Sequence, residues 1–429
     1  MSLGGTWRRV ATGAAARRGR RLRPALALGC VLLAARAAAA SDGAPALRLV
    51  AYAETADGAR VAAEHAGEAI NPASVVKLAT TLWALERLGA AHRFETRVAS
   101  SGVLDPATGV LAGDLHVRGG ADPDFHVENA LLVAEALNGA GVREVRGDLV
   151  VDDRFWIGWE GGAERREGDA DRRARAMAER LRRALDPATW SREARAAWRR
   201  TASRRVARTP PEVHVRGARR GTAPAGARDL VVHRSNPLAM TLKRLNVHSN
   251  NDIERLGATL GPPAALAAEL AARWDLEPAA VRLDTLSGLG RNRLPVRAIG
   301  RLLAALEEVA VRERLDVADL VAVSGCDAGT LRFLPGLADA PAGSVIAKTG
   351  TLTVTDGGVT ALAGWVHTAA GPLRFVVAVP RSGARVEAAR RAEARWLQGL
   401  AERHGGLRAR PCGARAGYSD DDARAVVVD

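Results

Sequence analysis

Ser74 and Lys77 stand three residues apart, the spacing at which a hydroxyl and an amine share one helix face. A serine hydroxyl is a poor nucleophile at neutral pH, and a lysine beside it serves as base once it gives up its proton. Lysine is scarce in this chain. Of 62 basic residues only Lys77, Lys243 and Lys348 are lysine, and the rest are arginine. GC-rich codon usage accounts for the general replacement, but not for where lysine survives. Arginine holds its proton at any working pH, whereas a buried lysine can become neutral, so each surviving lysine marks a candidate chemical requirement.

Two further groupings follow in the chain. Ser249-Asn250-Asn251 is an S-x-N arrangement, and Lys348-Thr349-Gly350-Thr351 is a K-T-G followed by a second threonine. Alone, each has a bland reading. Asn251 could cap a helix, with Glu254 completing a capping box. Lys348 could be an edge-strand lysine that deters aggregation. Their order after Ser74 and Lys77 is what gives them weight.

These residues need elements to hold them. Asn71 suits a helix cap and Pro72 the first helical position, so a helix is predicted to begin there. Val75, Leu78, Leu82 and Leu85 recur at helical spacing as its buried stripe, and Ser74 falls near the positive helix end. The β-branched run 344–352 reads as a strand with Ile346, Lys348 and Gly350 on one side. Gly350 would let another backbone approach, as a strand-docked substrate requires. Lys243 has no assigned role; as a structural or solvated lysine it should tolerate arginine.

S-x-x-K, S-x-N and K-T-G in this order resemble the active-site set of serine β-lactamases and penicillin-binding proteins. Between Lys77 and Ser249 lie 171 residues, more than a simple β-lactamase needs. The chain closely resembles the class C low-molecular-mass penicillin-binding proteins, the D-alanyl-D-alanine carboxypeptidase/endopeptidase family, which carry a large insertion there. Gly119–Pro123, Gly147–Asp153, Asp284–Leu289 and Gly329–Arg332 add to the likeness, which spans residues 47–400, patchily in the middle.

The resemblance implies an α/β (α+β) fold. It would be a β-lactamase/transpeptidase-like domain with a mainly antiparallel sheet and helices, interrupted by a large β-rich insertion. It also implies catalytic roles for Ser74, Lys77, Ser249 and Asn251. Ser74 would be the acylated nucleophile and Lys77 its base, with burial and nearby Lys348 lowering the Lys77 pKa. Ser249 would relay a proton to the leaving amine while Asn251 orients Lys77 and the substrate. Lys348, Thr349, Gly350 and Thr351 would form the substrate-binding strand, and the N–H groups of Ser74 and Thr351 the oxyanion hole. The expected partners are peptidoglycan stem peptides, with β-lactams as covalent inhibitors; no cofactor or metal is called for.

The rest of the chain sets the context. Residues 1–40 carry eight arginines and no acid, then the apolar stretch 25–35 and small residues before Ser41. This reads as a signal peptide, so the protein is expected to be exported, to the periplasm or cell envelope. Cys30 faintly suggests a lipidation site, but apolar residues continue beyond it. Removing the leader lowers the net charge from +14 to +6, which weakens any nucleic-acid reading, and no nucleic-acid reader motif occurs. The catalytic domain is placed at 41–95 and 236–408, the insertion at 96–235 and a mobile tail at 409–429. Within the insertion, 172–185 and 190–204 are predicted helical, in a stretch unusually rich in arginine. Cys326 and Cys412 could form one disulfide or none.

Other chemistries fit less well. A class A β-lactamase needs E-x-x-L-N, and a class C enzyme needs Y-x-N; neither occurs. The chain also lacks G-x-S-x-G and H-E-x-x-H. A non-catalytic peptidoglycan-binding relative is disfavoured because all three motifs are intact.

Overall fold

The computed structural model describes residues 47–158, 168–202, 209–337, 339–413 and 423–428. The expected leader, with Cys30, lies outside them. The described chain starts with β1 (Val50–Thr55), β2 (Arg60–Glu64) and β3 (Ala69–Ile70) before entering helix α1 (Val76–Leu88). It then builds β4 (Glu95–Ser100), β5 (Val103–Asp105), β6 (Val110–Ala112) and β7 (Leu115–Arg118). Next come α2 (Val127–Gly139), β8 (Glu144–Val151), α3 (Ala170–Leu185) and α4 (Arg192–Ala202). After β9 (His214–Arg220) and β10 (Arg228–Arg234) the chain returns through α5 (Leu238–Val247) and α6 (Pro263–Arg273). It continues as β11 (Leu294–Pro295), α7 (Val296–Arg312), β12 (Val345–Leu352), β13 (Val359–Thr368) and β14 (Gly371–Pro380). The last elements are α8 (Val386–Arg403) and β15 (Arg424–Val427).

Two main sheets organise this path. The first is antiparallel throughout, in the order β12-β13-β14-β1-β2, so the K-T-G strand lies at its edge. Its strands join residues 50–64 to residues 345–380, so one core is closed by segments far apart in the sequence. One face, carrying Val50, Ile346, Ala361 and Val376, packs on Leu78, Leu82, Leu302 and Leu306 of α1 and α7. The other face, with Ala347, Leu362 and Val377, is covered by Leu397 and Leu400 of α8. Parity along β12 therefore divides the site strand: Lys348 and Gly350 share the α1 side, Thr349 and Thr351 the α8 side.

The second sheet runs β15-β10-β4-β7-β8-β6-β5, with β9 added alongside β8. It is mixed, because β8 lies parallel to β6, β7 and β9. Helices α2 and α3 cover it through Val133, Leu137, Met177 and Leu181. The two helices foreseen in the arginine-rich stretch are α3 and α4, and α4 is anchored by Trp190 and Trp198 against Leu131.

The C-terminal segment departs from the expectation of a free tail. β15 pairs antiparallel with β10, Val231 opposite Val427. The alternating Arg424–Val427 sequence supplies a strand, and the open edge of β10 supplies unpaired backbone groups for it. Cys326 and Cys412 form a disulfide, Cα–Cα 5.7 Å, pinning the chain after α8 to the loop before β12. No helix among the described residues is long and apolar enough to cross a membrane.

Candidate active site

The turn before α1 is tighter than the predicted helix start. Ala73–Val75 form one 3-10 turn and the α-helix begins at Val76. Asn71 secures the turn: its Oδ1 accepts from Ala73 N–H (3.1 Å), while Nδ2 donates to Gly290 O (2.9 Å) and Asp356 Oδ2 (2.7 Å). Ala73 adopts φ +47°, a left-handed conformation that costs a residue with a Cβ about 1–2 kcal/mol. Two glycines accept this shape closely. A Cβ on Gly288 would lie 1.9 Å from Ala73 O, and one on Gly350 would lie 2.6 Å from Pro72 O. Gly350 therefore makes room for the protein's own turn at Pro72–Ser74, which is a different reason from the substrate approach expected from sequence.

α1 is buried nearly all round from Val76 to Leu85, so Lys77 has no route to solvent. Its Nζ donates to Ser74 Oγ (3.0 Å), Asn251 Oδ1 (2.9 Å) and Ser287 O (2.7 Å). Burial pushes its pKa down to about 7, and the Glu254 carboxylate opposes that push. Asn251 is free for this contact because Asn250 caps the following turn, accepting from Asp252 N–H (2.8 Å). The capping box pictured for Asn251 and Glu254 does not form. Glu254 instead accepts from Leu286 N–H (3.0 Å) and Ser287 N–H (2.7 Å). Arg255 holds this turn from behind, pairing with Asp252 (3.2 Å) and donating to Gly158 O (2.6 Å).

Lys348 is equally buried. Its Nζ donates to Ser249 Oγ (2.8 Å) and Thr349 O (2.9 Å), joining the third motif to the second. Burial, and then the neighbouring Lys77, hold its pKa well below the ordinary lysine value. On the other side of β12, Thr349 Oγ1 donates to Thr330 Oγ1 (2.8 Å). Thr351 Oγ1 donates to Gly350 O (2.7 Å) and accepts from Arg390 Nη2 (3.2 Å). Ser249 sits at φ +52°, a second left-handed residue at the site.

The structure thus brings together Ser74, Lys77, Ser249, Asn251 and Lys348–Thr351, contributed by the 3-10 turn before α1, α1 itself, the turn after α5 and β12. Sequence reasoning missed Glu254, Ser287, Thr330 and Arg390 as contacts. Ser287 and Thr330 fall inside segments already noted for their likeness, whereas Arg390 is one arginine among many. Lys243 stands apart: it is buried and donates to Ala318 O (2.8 Å), Val321 O (2.7 Å) and Asp327 Oδ2 (2.5 Å). It is a structural lysine, and not a solvated one.

The fold has parallels among solved structures. The penicillin G-acylated predatory endopeptidase Bd3459 of Bdellovibrio bacteriovorus, in complex with immunity protein Bd3460, aligns with TM-score 0.72 and 21% identity, over 89% of this chain and 100% of that one. Penicillin-binding protein 4 of Haemophilus influenzae, complexed with a β-lactam, aligns with TM-score 0.60 and 19% identity, over 83% of this chain and 97% of that one. These likenesses show a shared transpeptidase-like α+β fold. In sequence, a D-alanyl-D-alanine carboxypeptidase of Actinomadura sp. (strain R39) is 38% identical over 107 residues, which is 25% of this chain and only 20% of that relative's length. The broader match is to the D-Ala-D-Ala carboxypeptidase 3 (S13) family, whose model covers residues 34–178 and 213–400. Those spans include Ser74, Lys77, Ser249, Asn251 and the whole Lys348–Thr351 strand, and the chain belongs to this family.

Proposed function

We propose that the chain is a serine D-alanyl-D-alanine carboxypeptidase/endopeptidase that hydrolyses peptidoglycan stem-peptide ends or cross-links through an acyl-enzyme at Ser74. Penicillin would acylate the same oxygen. The observation that carries this reading is the buried Lys77 amine 3.0 Å from Ser74 Oγ. Family membership supports it, as does the penicillin-acylated endopeptidase of the same fold.

Lys77, brought near neutrality by burial, takes the proton as Ser74 Oγ attacks the carbonyl between the terminal D-alanines. The N–H groups of Ser74 and Thr351 receive the developing oxyanion. The proton returns from Lys77 through Ser249 to the amide nitrogen as the C–N bond breaks, D-alanine (or the partner stem in a cross-link) departs, and both residues are left as they began. Water then releases the acyl group. In a β-lactam the leaving group stays tethered and obstructs that water. Asn251 fixes Lys77 through Oδ1 and presents its amide N–H to the substrate.

Lys348 meets the substrate's terminal carboxylate with its third N–H, the other two being given to Ser249 and Thr349. The Thr349 and Thr351 hydroxyls join it by turning from Thr330 Oγ1 and Gly350 O, to which each now donates its one proton. An incoming carboxylate favours the charged form of Lys348, against burial and the repulsion of Lys77.

We place the mature protein outside the cytoplasm, in the periplasm or cell envelope. The Cys326–Cys412 disulfide fits an oxidising compartment, and the basic-then-apolar N-terminus gives the export route. N-terminal sequencing of the envelope fraction should begin near Ser41; a cytoplasmic product retaining Met1 contradicts this.

Incubation with purified peptidoglycan fragments, read by mass spectrometry, tests the activity. Loss of one D-alanine reports carboxypeptidase action, and splitting of a cross-linked dimer reports endopeptidase action. Ser74→Ala should abolish both. Fragments left intact by the wild-type protein overturn the proposal.

A further inference from the structure

The loop 284–289 meets α1 through Leu286 and Ser287, whose backbone N–H and C=O groups are all engaged. Leu286 O accepts from Thr80 Oγ1 (2.6 Å) and Ser287 O accepts from Lys77 Nζ (2.7 Å). On the opposite side, the N–H groups of the same two residues donate to the two oxygens of Glu254, at 3.0 and 2.7 Å. Glu254 and Asn251 belong to one short 3-10 turn, so a single rigid element supplies two of the influences on Lys77. Asn251 touches the amine directly, and Glu254 reaches it through two consecutive peptide groups.

We propose that Glu254 is a positioning residue for Lys77: its carboxylate clamps Leu286 and Ser287 so that Ser287 O meets the amine, and its negative charge faces that amine across the loop. This rests on the acyl-enzyme reading above and adds to it a residue outside the three motifs. The geometry explains how a lysine without solvent can still exchange protons in a useful range. The three neutral acceptors favour the ammonium, and a carboxylate beyond them adds to that. The Glu254 carboxylate, on the far side of Leu286 and Ser287, offsets part of the cost of burial without direct pairing to the amine. The charged groups facing Lys77 are Glu254 from the 3-10 turn and Lys348 from β12; at the far end of the loop Asp284 is taken up by Arg282 (2.8 Å).

Lysine scarcity makes a direct test practical. With 13C-labelled lysine the protein gives three side-chain signals, and the Lys77 signal is identified by its loss in Lys77→Met. In Glu254→Gln, which keeps the shape but removes the charge, the Lys77 titration midpoint should fall by at least about half a pH unit. The ascending limb of penicillin acylation should move to lower pH by the same amount, and its plateau should drop several-fold because one N–H loses its acceptor. Glu254→Asp keeps the charge but retracts the oxygens: its limb should stay near wild type while the plateau falls. Should Glu254→Gln prove unstable by thermal melting, Glu254→Asp decides alone, because a falling plateau with an unmoved limb is required of it. An unchanged Lys77 midpoint and limb in Glu254→Gln, or a full plateau in Glu254→Asp, overturns the proposal. Wild-type protein that titrates at Lys77 but takes no penicillin would instead overturn the acyl-enzyme reading, so the two failures are distinguishable.

Discussion

Gly350 of the K-T-G strand packs against the backbone of Pro72, so closely that a Cβ there would sit 2.6 Å from Pro72 O. It would also approach Ala73 Cβ at 3.1 Å and Ser74 N at 3.3 Å. The Ser74 turn and the Lys348–Thr351 strand are thus fitted to each other through a position that admits only hydrogen. Gly350→Ala should displace Ser74 and lower penicillin acylation at least about tenfold, because sub-ångström misplacement of reacting groups is costly. The loss of thermal stability should be modest by comparison, about 1–3 kcal/mol, the range for overpacking. Stopped-flow acylation beside a melting curve checks both; wild-type acylation in the variant would contradict the fit.

Lys77 and Lys348 divide the work differently. Lys77→Arg keeps a positive charge that cannot be given up, so acylation should fall by about a hundredfold or more, the usual worth of a general base. Lys348→Arg retains charge for the carboxylate and should keep more activity. If the base is the neutral Lys77 amine, as proposed, then with its pKa pushed down to about 7 wild-type acylation should rise with pH through 7 and level off above 8. Equal, mild losses in the two variants, or a rate that falls with pH through 7, would contradict this division.

Lys243 carries an expectation that the structure revises. Sequence alone makes Lys243→Arg harmless, yet the side chain is buried and ion-paired with Asp327, whose Oδ2 also accepts from Val323 N–H (2.8 Å). Arginine must overfill this site and should cost about 1–3 kcal/mol. Lys243→Met strands a buried carboxylate and should cost more, about 3–5 kcal/mol. Denaturant titration separates the two variants; midpoints equal to wild type would show that the pair is dispensable.

The disulfide closes a loop of 86 residues around β12, β13, β14 and α8. In the chain-entropy picture such a crosslink is worth about 4–5 kcal/mol. Replacing Cys326 and Cys412 by serine should lower stability by about 2–5 kcal/mol, measured by denaturant midpoint, and leave a folded protein that penicillin still labels. A double variant as stable as wild type would show that the loop is held without the bond.

What the sequence made legible was local or ordinal. The α1 stripe, the site strand and the two arginine-rich helices follow from periodicity, and Ser74, Lys77, Ser249, Asn251 and Lys348 follow from residue type and order. The features that escaped are long-range. Asp327 lies 84 residues from Lys243 with nothing local to pair them. The partner of β15 is a strand almost two hundred residues earlier. Glu254 was misread for a related reason: its spacing from Asn251 fits a capping box, but Leu286 and Ser287, brought in by the fold, present better-placed N–H groups. Local propensity gave a plausible partner, and tertiary packing supplied another.

The central claim is that Ser74 becomes acylated because Lys77 takes its proton, and intact-mass spectrometry with a fluorescent penicillin tests it most directly. Wild-type protein should gain one penicilloyl mass, peptide mapping should place it on Ser74, and Ser74→Ala should gain none while melting as wild type does. An adduct on any other serine, or a labelled Ser74→Ala variant, would contradict the account.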